Sequence, residues 1–136
     1  MSINGACLCG AIRYEIASRL EDAGNCHCSM CRRAHGAAFA TYASVDPNEF
    51  RWTSGKELVS YYECSPNACR MFCSVCGSTL GGTESGEINS VTLGTVEGDP
   101  GVRPRSHIFV ASKAPWHEIS DSLPQFDEWP PGDTWA

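Results

Sequence analysis

The spacing of the cysteines constrains this 136-residue chain more than any other feature of its sequence. Nine cysteines are present, and most of them fall into three short groups. The groups are a C-x-C pair at Cys7 and Cys9, a C-x-C-x-x-C run at Cys26, Cys28 and Cys31, and a C-x-x-C pair at Cys73 and Cys76 that Gly77 follows. Cys64 and Cys69 stand apart and flank the turn sequence SPNA.

The expected redox state of these thiols favours metal binding over disulfides. The N-terminal sequence MSINGACLCG lacks the basic start and apolar core of a signal peptide, which predicts a cytoplasmic location. Thiols stay reduced in that compartment, and an odd number of cysteines cannot all pair in disulfides. We therefore interpret the grouped cysteines as metal ligands.

Two of the groups together predict a structural zinc site. A C-x-x-C turn followed by glycine is a zinc knuckle, in which backbone amides point at the sulfurs and glycine allows the tight reversal. Cys73 and Cys76 supply two thiolates, and Cys7 and Cys9 are the available second pair. Such a site would tie the first strand to the middle of the chain.

The remaining group, Cys26, Cys28 and Cys31, has only three thiolates. Cys64, Cys69 or His35 could close the site, and His35 is favoured among the histidines because it follows Cys31 by one helical turn. His27 lies between two ligands, so its ring is expected to point away. The other possibility is an open fourth position, as in catalytic zinc sites.

An open site of this kind favours a thiol substrate. Zinc with three thiolates carries a charge of about −1, which makes it a weak Lewis acid and a good partner for one more soft ligand. Bound zinc would lower the pKa of that incoming thiol. Arg32 and Arg33 adjoin the group and are the candidate substrate-binding residues, because they could pair with carboxylates of an anionic thiol.

Short β-rich segments separated by Gly and Pro predict a mainly β protein with an antiparallel sheet. Residues 11–16 place Ile12, Tyr14 and Ile16 on one side of a half-buried strand, and residues 37–45 alternate in the same way. Helix is expected only from Ser29 to His35, ended by Gly36. Further strand candidates are the segments FRW, LVSYY, NSVTLG and SHIFV.

The charge balance limits the partners. The net charge of −6 argues against nucleic acid or an anionic membrane, since both are bound by excess Lys and Arg. No stretch approaches the ~18 apolar residues of a membrane helix. Acidic residues but no Lys or Arg follow Lys113. We divide the chain into a zinc-binding domain over residues 1–120 and an acidic tail over residues 121–136, which we expect to be a solvated strap.

Four segments together resemble a known family. GACLCGAIRY, CHCSMCRRAHGAAFATY, FCSVCGSTL and SHIFVASKAPW are similar to the glutathione-dependent formaldehyde-activating enzyme family, which also includes centromere protein V. The resemblance runs from Gly5 to about Trp116. The spaced set of seven cysteines followed by A-P-W is specific, whereas no single piece would be.

The resemblance implies a fold, a ligand set and an activity. The fold would be a zinc-stabilised, sandwich-like β domain. The C-x-C and C-x-x-C pairs, Cys7, Cys9, Cys73 and Cys76, would hold a structural zinc, and Cys26, Cys28 and Cys31 a second zinc at the active site. The activity joins glutathione and formaldehyde into S-hydroxymethylglutathione and is classed as a carbon–sulfur lyase in reverse.

Two hypotheses for function remain open at this point. The first is a zinc enzyme acting on a thiol–aldehyde adduct, with His35 or His107 as the base that handles the proton. The second is a non-catalytic, zinc-stabilised binding module in which both metals are structural. We also expect Trp116, a large apolar side chain after Pro115, to pack near the second site or against the sheet.

Overall fold

The computed structural model describes residues 2–131, which fold into two β-sheets and a short α-helix, α1 (Ser29–His35). The strands are β1 (Ile3–Ala6), β2 (Arg13–Ile16), β3 (Glu21–Cys26), β4 (Ala40–Ser44), β5 (Phe50–Ser54), β6 (Val59–Ser65), β7 (Ala68–Cys73), β8 (Thr79–Glu84), β9 (Glu87–Thr92) and β10 (His107–Ile108). Single 3-10 turns occupy Pro47–Glu49, Lys56–Leu58, Leu93–Thr95 and Val110–Ser112.

The strand order confirms the predicted fold class. A three-stranded sheet has the order β1-β2-β5, and a seven-stranded sheet has the order β10-β3-β4-β9-β8-β7-β6. Strand β10 runs parallel to β3, and the other strand pairs are antiparallel. The protein is therefore mainly β, with little helix, as the short alternating segments indicated.

The two sheets pack face to face through a core that the sequence pattern of β2 predicted. Tyr14 and Ile16 are buried, as predicted, and pack against Ala43 of β4 and Val91 of β9. Ile12, directly before β2, is also buried and joins a second cluster with Met71, Cys73 and Leu80. Burial of such side chains contributes roughly 1.5–3 kcal/mol each, so these clusters fix the small sheet on the large one.

Strand β4 buries residues on both faces, which the predicted alternation did not include. Ala43 and Val45 face the core between the sheets, as expected. Ala40 is also buried, on the opposite face, where it packs with Cys26 and Cys31. One face of β4 therefore supports the fold, and the other supports the second cysteine group.

Strand β3, EDAGNC, was missed because its composition is polar and contains glycine. Its polar residue Asn25 is buried, and the Asn25 side-chain oxygen accepts a 2.7 Å hydrogen bond from the Thr41 hydroxyl on the neighbouring strand. A satisfied polar group can be buried at little cost, and here it allows the strand to deliver Cys26 into the interior. Strands β1, β7 and β8 were also missed.

Helix α1 has the predicted bounds. The Cys28 sulfur caps its first turn by accepting a hydrogen bond from the Cys31 amide, and Gly36 ends it with φ 58° and ψ 41°. This left-handed conformation favours glycine, since other residues pay for the close approach of Cβ and carbonyl. Across residues 2–131, no helix is long and apolar enough to cross a membrane.

The acidic C-terminal segment is anchored by its backbone. Gln125 forms a bridge with His107, the His107 amide donates to the Pro124 carbonyl at 2.9 Å, and the Phe126 amide donates to the His107 carbonyl at 2.9 Å. Most side chains from residue 121 to 131 are exposed, as expected for a solvated strap, but the segment extends the large sheet beyond β10. The part of the predicted tail from residue 132 to 136 lies outside the described residues.

The prediction for Trp116 is wrong. Its side chain is 71% exposed, while Ala114, two residues earlier, is fully buried. The His117 amide donates to the Ala114 carbonyl at 3.1 Å and closes a turn that contains Pro115 and Trp116. The small alanine takes the interior position, and the tip of the turn directs the indole outward.

Candidate metal centres and the cleft beside them

Four cysteines meet where the two sheets are joined. The sulfurs of Cys7, Cys9, Cys73 and Cys76 all lie within 4.8 Å of one another. Cys7 and Cys9 follow β1, while Cys73 ends β7 and Cys76 lies in the turn before β8. The four sulfurs thus bring the first hairpin of the small sheet together with a hairpin of the large sheet.

Backbone amides point at these sulfurs in the manner of a zinc knuckle. The Cys76 amide donates to the Cys73 sulfur at 3.4 Å, the Cys9 amide to the Cys76 sulfur at 3.4 Å, and the Ile12 amide to the Cys7 sulfur at 3.3 Å. Hydrogen bonds from the Ser78 hydroxyl and backbone lower the pKa of Cys76 to about 5. Four soft donors with amide support fit Zn²⁺ in a closed tetrahedral site.

The second group gathers Cys26, Cys28 and Cys31, whose sulfurs also lie within 4.8 Å of one another. Strand β3 delivers Cys26 at its last residue, Cys28 is the N-cap of α1, and Cys31 lies in the first turn of that helix. A strand end followed at once by a helix start folds the three thiols onto one point. Within residues 2–131, the group of potential metal donors formed here consists of these three cysteines.

The environment of Cys28 favours its thiolate. Hydrogen bonds from the thiols of Cys26 and Cys31 lower the pKa of Cys28, and the Cys31 amide and the nearby Arg70 guanidinium lower it further. The Cys31 amide lies 3.3 Å from the Cys28 sulfur. Three converging sulfurs, one of them held as an anion, fit a soft or borderline metal such as Zn²⁺.

A cleft of about 340 Å³ opens over this second group. All three cysteines line it, and Tyr42, Phe109 and Trp129 supply aromatic surface. The Phe109 and Trp129 rings meet edge to face, with centroids 5.2 Å apart. Because aromatic side chains and the three cysteines line the same cleft, it can hold a small molecule beside the sulfurs.

Phe109 forms its part of the cleft from a strained backbone. It has φ 56° and ψ 37°, a conformation that is unusual for a bulky residue, and it packs against the cluster that includes Cys26, Cys31 and Ile108. Amides near Phe109 donate to the C-terminal segment, including that of Val110 to the Phe126 carbonyl at 3.0 Å. The C-terminal segment thus holds Phe109 in a conformation that costs of order 1–3 kcal/mol.

The two candidate bases lie in different places. His35 lines the cleft, and burial, with a smaller contribution from Arg70, lowers its pKa and keeps it neutral at pH 7. His107 is 2% exposed and does not line the cleft. Its Nδ1 lies 2.8 Å from His27 Nε2, and its Nε2 lies 3.0 Å from a carboxylate oxygen of Asp121.

His27 does not join the sulfur group, as expected from its place between two ligands. Its ring is fully buried and forms a hydrogen bond with His107. It also packs beside Phe39, with ring centroids 4.9 Å apart. Burial and the neighbouring His107 lower the pKa of His27 to about 4. The hydrogen bond between His27 and His107 thereby connects the segment from Cys26 to Cys28 with β10, and the contact of His107 with Asp121 extends this connection to the C-terminal segment.

Arg32 and Arg33, the predicted substrate-binding residues, do not line the cleft. Arg33 is exposed, and Arg32 Nε is buried without a hydrogen-bond partner. The cation that does line the cleft is Arg70 of β7, whose Nη2 donates to the Cys31 sulfur at 3.7 Å. Sequence reasoning missed Arg70 because it is 39 positions from Cys31, and no local pattern joins the two.

Cys64 and Cys69, which could have closed the second site, line the cleft but belong to neither group of metal-ligand donors. The Cys64 thiol donates instead to the Ala68 carbonyl at 3.6 Å. His35 is likewise absent from the group. The fourth ligands that the sequence left possible therefore lie around the cleft and not among the clustered sulfurs.

The cysteine geometry agrees with a comparison against protein families. The family model described as glutathione-dependent formaldehyde-activating enzyme matches residues 2–112. The chain belongs to this family. The resemblance seen in the four sequence segments is thus confirmed, and the matched region contains both cysteine groups, α1 and Arg70.

Two named relatives are moderately similar to this chain in sequence. A Halomonas elongata protein named "Putative glutathione-dependent formaldehyde-activating enzyme" is 32% identical over 130 residues, covering 88% of this chain and 82% of its own. A Schizosaccharomyces pombe protein named an uncharacterized lyase is 33% identical over 76 residues, covering 56% of this chain and 53% of its own.

A solved structure shares the fold. The crystal structure of a Rhodobacter sphaeroides protein superposes with a TM-score of 0.56 at 31% sequence identity, covering 75% of this chain and 92% of that one. At this score and identity the two molecules share their overall architecture. The β-rich arrangement described above is therefore shared by the two proteins.

Proposed function

We propose that this protein is a zinc-dependent enzyme of the carbon–sulfur lyase type that acts on a thiol–aldehyde adduct, with glutathione and formaldehyde as the expected components. One observation carries the proposal: a cleft of about 340 Å³ is lined by a donor group of three converged cysteine sulfurs, and this group has no fourth member among the described residues. The family membership and the lyase name of one relative support the same reaction class. The cytoplasmic location expected from the sequence would supply reduced thiols.

Two metal sites have distinct parts in this proposal. Cys7, Cys9, Cys73 and Cys76 would hold a structural zinc with four protein ligands. Cys26, Cys28 and Cys31 would hold a second zinc and leave one position for a substrate thiol. Zinc bound there would lower the pKa of that thiol and so favour its thiolate form at pH 7.

The proposed reaction is the addition of a thiol to an aldehyde. The sulfur forms a bond to the aldehyde carbon, the electron pair of the C=O π bond moves to oxygen, and that oxygen takes a proton. The thiol proton leaves to a base, for which neutral His35 in the cleft is the candidate. Lysis of the adduct follows the same steps in reverse. We propose that His107, which forms hydrogen bonds with His27 and Asp121, positions the segment from Cys26 to Cys28 and does not touch substrate.

Exchange spectroscopy tests the proposal. Zinc-loaded protein is added to glutathione and formaldehyde at equilibrium. It is expected to raise the rate at which S-hydroxymethylglutathione interconverts with free glutathione and formaldehyde, measured by NMR. Cys28→Ser should reduce this acceleration at least tenfold, because it removes one sulfur but keeps an N-cap oxygen for α1. No acceleration, together with four protein ligands at each zinc by X-ray absorption, would instead identify a zinc-stabilised binding module.

A further inference from the structure

Arg70 is the one Lys or Arg side chain that lines the cleft within the described residues. It lies on β7, and its Nη2 donates to the Cys31 sulfur at 3.7 Å. Within residues 2–131, the Cys31 sulfur is the hydrogen-bond acceptor of Arg70, and no carboxylate oxygen lies within 4.0 Å of the Arg70 guanidinium. A guanidinium has five N–H donors, so most of them are available to a bound molecule.

The neighbouring strand leaves room beside Arg70. Gly82 of β8 is the register partner of Arg70, and both line the cleft. Side chains of directly opposed residues project from the same face of a sheet, and Gly82 has no side chain to cover the guanidinium. Arg70 is half-buried, so a ligand in the cleft would meet it in a partly desolvated place where a charge pair is stronger than in water.

The charge of the proposed complex calls for a cation at this position. Zinc with three thiolates carries about −1, and a substrate thiolate brings the site to about −2. Arg32 and Arg33, which the sequence suggested for the compensating role, lie outside the cleft. Arg70 is the cation that stands beside the sulfurs.

We infer that Arg70 binds a carboxylate of the substrate and so selects thiols that carry a carboxylate near the sulfur. The inference rests on the proposed function. A fourth sulfur spaced like the other three would lie within about 8.5 Å of Arg70 Nη2, since that atom is 3.7 Å from Cys31 and the grouped sulfurs lie within 4.8 Å of one another. A carboxylate a few bonds from the thiol spans such a distance, and the planar fork of arginine fits it in a bidentate manner.

A matched pair of thiols isolates this contact. 3-Mercaptopropionate and its methyl ester have the same thiol and differ in the carboxylate charge. Binding of each to zinc-loaded protein is measured by isothermal titration calorimetry. Wild-type protein is expected to prefer the acid, and Arg70→Gln should reduce the acid-to-ester ratio of affinities by roughly ten- to a hundredfold, as for a lost charged hydrogen bond. Arg70→Lys should keep part of the preference.

The controls separate the alternatives. Arg19→Gln removes the same charge at a side chain that is 87% exposed and outside the cleft, and it should leave the ratio unchanged. If Arg70→Gln weakens acid and ester equally, Arg70 acts on the sulfur group alone and the inference is overturned. If neither thiol binds wild-type protein, and X-ray absorption shows no added sulfur at zinc, the proposed function fails and this inference with it.

Discussion

Substitutions of single cysteines should have unequal effects on stability. Cys73 is a proposed ligand of the structural zinc, whereas Cys64 lies in neither donor group. Cys73→Ser is expected to remove one zinc per chain and to lower the melting temperature by roughly 10 °C or more, since structural zinc contributes several kcal/mol to folding. Zinc analysis and thermal denaturation measure both effects.

Cys64→Ser provides the control for that substitution, because it makes the same chemical change at a cysteine that donates only to a backbone carbonyl. Its zinc content and melting temperature should match those of the wild type. Equal zinc content in both variants would contradict a structural site at Cys73.

The pairing of Asp121 with His107 predicts a pH effect at the residue scale. The hydrogen bond from His107 lowers the pKa of Asp121 in the folded protein. A carboxyl whose folded pKa is depressed stabilises the fold above its unfolded pKa, about 3.9, and loses that contribution as the pH falls through the folded pKa. Asp121→Asn should therefore reduce stability at pH 6 more than at pH 4, where this contribution is already partly lost and zinc-binding thiolates are less protonated than at still lower pH.

Urea denaturation of both proteins at the two pH values measures this difference. Asp121 is 48% exposed, so the effect at pH 6 will be modest. Asp127→Asn, which removes an exposed carboxylate from the same segment, is the control for the loss of a surface charge. A loss for Asp121→Asn that does not depend on pH would show that the charge of this carboxylate does not stabilise His107.

At the scale of elements, helix α1 offers a test free of steric clashes. Gly36 ends the helix with φ 58°, and apart from its chain neighbours no atom lies within 4 Å of the place where a Cβ would stand. Gly36→Ala should therefore cost only the conformational strain, about 1 kcal/mol, with zinc content unchanged. Gly94→Ala is the control, since Gly94 also has open space and no positive φ. Equal stabilities would contradict the cap assignment.

The C-terminal segment predicts where the domain can be cut. Pro124, Gln125 and Phe126 pair with the backbone of His107 and Val110 next to the cleft. A chain ended at residue 120, the boundary proposed from charge alone, should unfold at a lower temperature than one ended at residue 131, and amides near Phe109 should lose protection from hydrogen exchange. Equal stability of the two chains would support the boundary at residue 120.

Sequence reasoning recovered the elements whose determinants are local. The C-x-x-C turn before Gly77, the helix from Ser29 to Gly36 and the apolar alternation of residues 12–16 each depend on neighbours in the chain. Arg70 and Phe109 were missed because distant segments bring them to the cleft: β7 carries Arg70 past Cys31, and the C-terminal segment holds Phe109 in place. Trp116 was misplaced since hydrophobicity alone does not reveal that a turn directs it outward.

At the scale of the whole molecule, the two proposed metal sites differ in what they connect. The four-cysteine site joins the three-stranded sheet to β7 of the large sheet, so its loss should release one layer of the sandwich. The three-cysteine site joins the end of β3 to the adjacent α1, a connection that the chain itself and the buried His27–His107 contact already maintain. Zinc should therefore be required for folding at the first site and dispensable for it at the second.

Chelator titration tests this order. With fewer protein ligands, the three-cysteine site should lose its zinc first, at a chelator concentration where near-ultraviolet circular dichroism stays native. The second zinc should leave at higher chelator together with the loss of that signal, because the sheets then separate. Cys28→Ser, which lacks a full second site but keeps the cap of α1, should show only the later step. Unfolding that accompanies the first zinc released would mean that the three-cysteine site also holds the fold together, which is the behaviour of a structural metal and not of a site open to substrate.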